Sequence, residues 1–535
     1  MSARVLGGYL LKHAASGSIG QPGYSDKGSE IRDLEDWIDS NVGQGVREIM
    51  GLGGRDITRK KGERDRKEEQ IKGRQQERFT VVLGSVGGDE ISELDVTSGE
   101  IMCEGKVSGI VRATAQGWYQ TTYKVNIGGG RGDYEPGDVV RVMPRNRGER
   151  VERILELMRS SGRFDHVLDP NVTLTVALKG NGGTKVGGVG GGLTGPPATV
   201  REILEERADL GYTGVDVNVL HALSHYVDLG AGEGKGGGES QYDKLRSMSG
   251  GEGEALYRDY VVKEKRGLPD VLTEFDAVWG EGGITVEGLL EVLREMRPRE
   301  FSIASGPEDT RETGKVEILA AVKRGTTRLG RKYVGGCSDY FEGLAGGLDG
   351  DEGEGQKAQW AVAPFKFSIR GGEFGRVLHL LPQGAPLMCV GAGTGIAPLR
   401  SALRSRAASR GAGGKGGGGD VLVQGFRREG MDDYYSGEWE GLGVEVWKAE
   451  SQRGVRKIYV QDVIRERGVE VADIILRRKG ALLIAGGAKM ATAVAEEVAR
   501  ILGEKIGAGK DSKKVGRKLL EALRKKGRYS MESWT

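Results

Sequence analysis

The chain has 535 residues, 37% of them hydrophobic, and a formal net charge of +2. That length supports roughly two to four domains with a sizeable core, and the near balance of charge argues against a polyanion-binding surface. The three cysteines, Cys103, Cys337 and Cys389, show neither paired nor metal-site spacing, as suits a reducing compartment. No run is apolar for long enough to span a bilayer and no charged-then-apolar leader opens the sequence, so the expectation is a cytoplasmic protein with no membrane and no nucleic-acid partner. Glycine is abundant at 93 residues. Much of it falls in the runs Gly187–Gly192, Gly230–Gly238 and Gly411–Gly419, which carry a large ordering entropy, bury nothing and read as flexible loop insertions.

Residues 1–78 are the least patterned. Leu34–Ile38 with Trp37 fits an amphipathic helix. Arg55–Arg78 alternates charges densely and reads as a solvated helix or linker, its interleaved acids arguing against a nucleic-acid arm. Phe79–Leu83, Gly109–Thr114 and Thr121–Ile127 read as strands, the last two around a turn at Ala115–Trp118. Tyr134-Glu135-Pro136-Gly137-Asp138 is a turn leading into the alternating strand Val139–Val142. In Glu149–Arg159, Val151, Ile154, Leu155 and Met158 stand at helical spacing. Val200–Leu210, Asn218–Val227, Gly267–Phe275 and Leu289–Met296 are further helices. His221 and His225, four apart, share a helix face but lack the acidic partner of a zinc motif, and no metal is expected.

Arg297-Pro298-Arg299-Glu300-Phe301-Ser302-Ile303-Ala304-Ser305 comes next. On a strand, Arg299, Phe301 and Ile303 point one way and Ser302 the other. A cation, an aromatic plate and a hydroxyl at one rim suit a flavin dinucleotide: the cation for its pyrophosphate, the ring to stack, the hydroxyl to bond its edge. The competing reading is an ordinary strand with Phe301 in the core. Lys315–Val322 is another strand. Gly335-Gly336-Cys337-Ser338 then enters a helix running through Leu344, and amides at such a turn favour phosphate. A plain cap by Ser338 is the alternative. With no histidine in sequence reach, Cys337 reads as a small buried residue rather than a nucleophile.

From Ala385 strands and helices alternate. Pro386–Val390 is a strand, Gly391-Ala392-Gly393-Thr394-Gly395-Ile396-Ala397-Pro398 a glycine turn, and Leu399–Ala408 a helix. Strand, glycine turn and helix in that order let the backbone approach a pyrophosphate. Val421–Phe426 follows, ending in Gly425-Phe426-Arg427, then Val444–Ala449, then Ser451-Gln452-Arg453 and Lys457-Ile458-Tyr459-Val460-Gln461. Ala481–Ala485 is a strand, followed by Gly486-Gly487-Ala488-Lys489-Met490 and a helix to Leu502; Gly527–Thr535 closes the sequence.

In this order the motifs resemble the FAD/NADP reductase portion of the NADPH-dependent diflavin oxidoreductases, over about residues 79–535. Arg299-x-Phe301-Ser302-x-x-Ser305 is similar to the signature of that family's FAD-binding barrel, and Pro136-Gly137-Asp138 to its hairpin. Gly335–Ser338 resembles the segment meeting the FAD pyrophosphate. Gly391–Pro398, Ser451–Gln461 and Gly486–Met490 resemble three segments of its NADP domain. Two positions depart: Phe426 replaces the usual cysteine, and Gln452 stands where an arginine is usual, leaving Arg453 or Arg456 for the phosphate.

The resemblance implies an antiparallel FAD-binding β-barrel with a helical connecting insertion, followed by a Rossmann-like parallel α/β NADP-binding domain. Its boundaries would be 79–384 for the barrel, with the insertion at about 149–296, and 385–535 for the NADP domain. It implies FAD and NADPH as cofactors and hydride transfer from the second to the first. Arg299, Glu300, Phe301, Ser302, Ser305, Gly335, Gly336, Cys337 and Ser338 would hold FAD. Gly393, Thr394, Gly395, Arg427, Ser451, Gln452, Arg453, Lys457, Tyr459 and Gln461 would hold NADPH, with Ser451, Lys457 and an arginine supplying donors to its 2′-phosphate. Ser302 would bond the hydride-accepting nitrogen, Trp534 would cover the flavin face opposite Phe301, and Glu532 would stabilise the nicotinamide charge or relay a proton. The family carries a flavodoxin-like FMN domain ahead of the barrel. Residues 1–78 are too short for one, although Tyr24–Trp37 resembles its last helix region, so FMN is expected only from a missing domain or a partner. The implied partners are a flavodoxin-like FMN protein or an anamorsin-type iron–sulfur protein, in cytosolic iron–sulfur protein assembly. A cytochrome- or sulfite-reductase-type flavoprotein and a non-catalytic interaction module are the rival expectations.

Overall fold

The computed structural model describes residues 66, 69–70, 79–85, 103–129, 132–180, 183–186, 193, 195–231, 237–348, 365–382, 384–410, 419–454, 457–507 and 509–534. The expectations for Leu34–Ile38, Tyr24–Trp37, most of Arg55–Arg78, Arg456 and most of the three glycine runs lie outside the described residues.

The strands in chain order are β1 (Phe79–Ser85), β2 (Cys103–Arg112), β3 (Thr122–Gly128), β4 (Val139–Met143), β5 (Val172–Gly180), β6 (Gly183–Val186), β7 (Arg299–Ser302) and β8 (Lys315–Ala321). They continue as β9 (Arg324–Thr326), β10 (Lys332–Val334), β11 (Phe365–Arg370), β12 (Leu387–Ala392), β13 (Val421–Phe426), β14 (Glu445–Glu450), β15 (Ala481–Gly487) and β16 (Tyr529–Trp534).

Six of them form an antiparallel sheet in the order β7-β4-β11-β2-β3-β8. Its two edges meet. Ile303, just past β7, bridges Ile318 of β8, and the Ala304 amide donates to the Glu317 carbonyl at 2.7 Å. The sheet therefore closes into a barrel, which removes free edges. Alternation along the strands fills it: Val125 and Ile127 of β3, Val140 and Val142 of β4, and Val316, Ile318 and Ala320 of β8 are all buried. Each such Val or Ile contributes about 1.5–3 kcal/mol on leaving water.

The second sheet is wholly parallel, ordered β14-β13-β12-β15-β16. β13 is buried at every position and β12 and β15 at all but one, the continuous pattern of a parallel sheet covered on both faces. The carboxyl end of the chain is thus its edge strand, which no periodicity in Tyr-Ser-Met-Glu-Ser-Trp announces. Helix Ile396–Arg410, which opens at the glycine turn, is fastened to the barrel. Arg400 Nη1 donates to the Ala304 carbonyl at 2.8 Å and to Glu317 at 3.2 Å, its Nε reaches Glu438 at 2.8 Å, and Ser401 donates to the Ser305 carbonyl at 2.7 Å.

Three expectations change. Phe79–Leu83 is a strand, but it pairs with β5 in a three-stranded sheet that also holds β6, outside the barrel sheet. Val200–Leu210 is α-helical only over Val200–Glu202, widens to a π-helix over Ile203–Arg207 and ends there, short of Leu210. The cause is tertiary: Asn146 Nδ2 donates to the Leu204 and Ala208 carbonyls at 2.7 and 2.6 Å, and the Asn146 amide donates to that of Glu205, so these carbonyls leave the helical ladder. Within the segment 149–296, residues 215–263 and 274–292 belong to a compact unit of their own, and the rest stays with the unit that contains the barrel. Described by itself, the smaller unit holds helices Val217–Ser224 and Gly238–Ser249 and takes Gln70, whose Nε2 donates to the Ser224 and Val227 carbonyls at 2.9 Å. His221 and His225 lie there edge to face at 4.8 Å, with Arg246 Nη1 at 2.5 Å from His221 Nδ1. A fixed cation on that imidazole opposes metal binding, and no group of three or more His, Cys, Asp or Glu side chains converges among the described residues.

Candidate active site

Strand β7 lines a cleft of about 960 Å³ together with residues of β4, β8, β16 and the segment after β11. Glu300, Phe301 and Ser302 of β7, Thr394 of the glycine turn, and Ser530, Glu532 and Trp534 of β16 are among the residues that line it. Phe301 lies between the core and the cleft. It is half-buried, meets Phe341 edge to face at 5.4 Å on the barrel core, and still lines the cleft. Trp534 is 38% exposed, unusual for a residue paired within a sheet. Burial first, then the charges of Glu373 and Asp138, push the Glu532 carboxyl up to about 7, against the pull of the Glu373 amide and Arg370. Ser530 donates to Glu373 Oε2 at 3.2 Å, so two carboxyl groups share this corner.

A second cleft, of about 1100 Å³, is lined by Arg147, Arg150, Tyr212, Lys265, Arg331 and Tyr333, among others. Tyr212 and Tyr333 meet edge to face at 5.7 Å and Lys265 Nζ stands 5.0 Å from the Tyr212 ring. Arg299 lies beside its wall: Nη2 donates to Asp209 at 3.1 Å and to Thr213 at 3.3 Å, while Asp209 also takes the Gly211 amide. The turn Gly335–Gly336 opens helix Gly336–Leu348 at the same cleft, which Val334 and Asp339 line. Cys337 is buried, and that burial pushes its thiol up to about 12, so it is no nucleophile. The Ser338 hydroxyl accepts the Lys323 amide at 2.8 Å.

At the carboxyl ends of the parallel strands, Gly393–Gly395 make a tight turn between β12 and helix Ile396–Arg410. Gly393 has φ +57°, and a Cβ on Gly395 would lie 2.2 Å from the Ala485 carbonyl oxygen, so the turn nests against β15 only with glycine there. Beyond β13 and β14 lie Arg427, Ser451 and Gln452, tied by Gln452 N–H to Arg427 O at 2.8 Å and Ser451 N–H to Phe426 O at 3.0 Å. Arg453 is exposed and 3.7 Å from Glu450, Lys457 is exposed, and Tyr459 starts helix Val460–Glu466 with its amide on Asp462 at 3.0 Å. Gln461 is half-buried in the first turn of that helix.

The family model described as FAD binding domain matches residues 122–340, and that described as Oxidoreductase NAD-binding domain matches 389–496. NADPH-dependent diflavin oxidoreductase 1 of Danio rerio is 27% identical over 418 residues, covering 77% of this chain and 61% of that protein. The proteins of the same name from Emericella nidulans and Mus musculus are 28% and 26% identical, covering 75% of this chain in each case and 59% and 60% of their own lengths. Over about three quarters of its length the chain is similar to the NADPH-dependent diflavin oxidoreductases. It spans about three-fifths of the length of these relatives.

The chain offers donors that fit an FAD. Arg150 Nη1 is buried at the second cleft with no hydrogen-bond partner among the described residues, and a Cβ on Gly336 would lie 3.9 Å from it. A bare guanidinium nitrogen beside a glycine turn at a helix N-terminus suits a phosphate oxygen. The structure brings Glu300, Phe301, Ser302, Thr394, Glu532 and Trp534 into one cleft, and sets Arg299 and Gly335–Gly336 beside residues that line the other. It does not bring Ser305 to either. That residue is buried, its hydroxyl engaged by Tyr134 at 2.9 Å and the Glu317 amide at 3.1 Å, and it serves the barrel seam. Reasoning from sequence missed Arg150, Tyr212, Tyr333 and Glu373. Arg150 had a signal, being the charged residue beside the apolar stripe of its helix; the others are single residues in loops or on short strands, where no period applies.

Proposed function

We propose that the chain is an FAD-carrying NADPH oxidoreductase that passes electrons onward to an FMN or iron–sulfur acceptor. One observation carries the reading: barrel strand, glycine turn and last strand all line one cleft, which holds Phe301, Ser302, Thr394, Glu532 and Trp534. FAD, when bound, supplies the exchange between a two-electron donor and one-electron acceptors. Phe301, backed by Phe341, offers a fixed plate, and Ser302 a hydroxyl at its edge. Trp534 lines the same cleft and gives way when a nicotinamide enters. Glu532 holds a proton near neutral pH in the same cleft. Arg150 and the amides of Gly335–Gly336 bind phosphate, with Arg299 positioned by Asp209. Gly393–Gly395 cradle the pyridine nucleotide pyrophosphate, and Ser451, Arg453 and Lys457 its 2′-phosphate. The relatives' name, NADPH-dependent diflavin oxidoreductase, supports both the donor and the onward transfer. For the acceptor we propose a flavodoxin-like FMN protein or an anamorsin-type iron–sulfur protein, in iron–sulfur protein assembly in the cytoplasm; no helix among the described residues is long and apolar enough to cross a membrane. Flavin released from the purified chain by heat should chromatograph as FAD, and the chain should reduce ferricyanide faster with NADPH than with NADH. Stoichiometric FMN, or no flavin with no turnover, would overturn the reading.

A further inference from the structure

Resting on the NADPH assignment above, we propose that Tyr119 is an adenine-stacking residue of the pyridine nucleotide site, supplied by the barrel rather than by the parallel domain. The loop joining β2 to β3, residues 113–121, leaves the barrel sheet and is fastened to the far domain. The Ala115 amide donates to the Met431 carbonyl at 3.0 Å, and Gln452 Nε2 donates to the Tyr119 hydroxyl at 3.3 Å. The Arg427 guanidinium lies over the Tyr119 ring at 5.0 Å from its centroid. On the barrel side Arg112 braces the loop, donating to the Trp118 carbonyl at 3.0 Å and to Thr114 Oγ1 at 3.3 Å. The Trp118 ring leans on Tyr119 with centroids 4.7 Å apart.

The loop is held at both ends, yet Tyr119 remains 62% exposed. An aromatic ring kept in water gains nothing from burial, so holding one in place is informative when its neighbours point to a ligand. They do here. Arg427 follows β13 and Gln452 follows β14 by two residues, at the carboxyl ends of the two strands that lie on one side of β12 and its glycine turn. That is the edge at which open parallel sheets bind ligands. The Arg427 cation and the Trp118 ring both lie against Tyr119, the 62% of its surface left exposed is available to a purine, and the hydroxyl bond from Gln452 fixes the ring's orientation. Gln452 stands where the resemblance expects an arginine, and its role here differs accordingly. It orients an aromatic from the other domain instead of meeting the nucleotide as a cation.

Adenine is common to NADPH and NADH, so Tyr119 should act on both, whereas a 2′-phosphate ligand acts on one. The experiment uses the full chain with FAD bound. Binding of 2′,5′-ADP is measured by calorimetry, and steady-state ferricyanide reduction with each nucleotide. Tyr119→Ala should raise the 2′,5′-ADP Kd, and the KM for NADPH and NADH alike, by about tenfold, the scale of one aromatic contact, with kcat unchanged. Tyr119→Leu, which keeps an apolar side chain without the ring, should behave the same and guards against a folding defect in the alanine variant. Tyr119→Phe should retain most affinity. Lys457→Ala should raise the KM for NADPH alone. Unchanged 2′,5′-ADP affinity in Tyr119→Ala and Tyr119→Leu, beside a selective Lys457→Ala effect, would overturn the proposal and leave the NADPH reading standing. A wild-type chain with no affinity for 2′,5′-ADP would overturn both.

Discussion

Glu532 binds its proton more tightly in the folded chain than in the unfolded one, with a carboxyl raised from 4.5 to about 7. The sign follows. Its contribution to stability is full below the unfolded value and is lost as pH rises through about 7. Thermal denaturation between pH 5 and pH 8 should therefore show a fall of roughly 2 kcal/mol, after solvent screening, that is absent in Glu532→Gln. Equal slopes for both proteins would mean that the carboxyl is not held in this way. Trp534 acts by occupancy. In the proposed function its ring occupies the place where a nicotinamide would stack, and an aromatic pair is worth about 0.5–1.5 kcal/mol, enough to exclude a nucleotide that lacks the phosphate anchor proposed at Lys457. Trp534→Ala should raise turnover with NADH relative to NADPH while FAD stays bound. An unchanged ratio would reduce Trp534 to an edge-strand side chain.

The glycine turn and its helix show how little tolerance the elements have. With a Cβ on Gly395 placed 2.2 Å from the Ala485 carbonyl oxygen, Gly395→Ala must lift the turn off β15. The expected cost is about 1–3 kcal/mol in denaturant unfolding, together with loss of 2′,5′-ADP binding. Arg400, 7% exposed, joins the same helix to the barrel between Glu317 and Glu438, and its cation lies 4.3 Å from the Tyr435 ring. Arg400→Leu strands those carboxylates and should cost about 3 kcal/mol. These elements were legible because each obeys a period: alternation in Val139–Val142 and Lys315–Val322, continuous apolar runs in β12, β13 and β15, glycine between strand and helix. What escaped was set by tertiary partners. Asn146 diverts the Val200–Leu210 helix, β1 finds its neighbour in β5 rather than in the barrel, and β16 is a strand because β15 offers it an edge. The site followed the same division. Phe301, Ser302 and the glycine turn lay in patterned stretches, whereas Tyr119 and Glu373 sit in loops whose positions only the folded neighbours define.

At the scale of the molecule, the two clefts make FAD a stabilising ligand. At a hundredfold excess over its Kd it should add about 2.7 kcal/mol, so FAD should raise the melting temperature of the flavin-stripped chain and FMN, lacking the part that the Arg150 cleft receives, should raise it much less. The barrel has a further consequence, for the birth of the protein rather than its work. Strand β4 lies between β7 and β11, so neither of its neighbours has been made when it leaves the ribosome. β7 follows some 150 residues later and β11 later still, a wait on the order of ten seconds or more at about 5–20 residues per second. Throughout it, Val139, Val140 and Val142 present an apolar ribbon with both backbone edges open, the geometry that invites pairing with another nascent chain. Soluble yield should therefore rise with slower synthesis or a co-expressed holdase, and fragments that stop before β11 should collect in the insoluble fraction while those that include it do not.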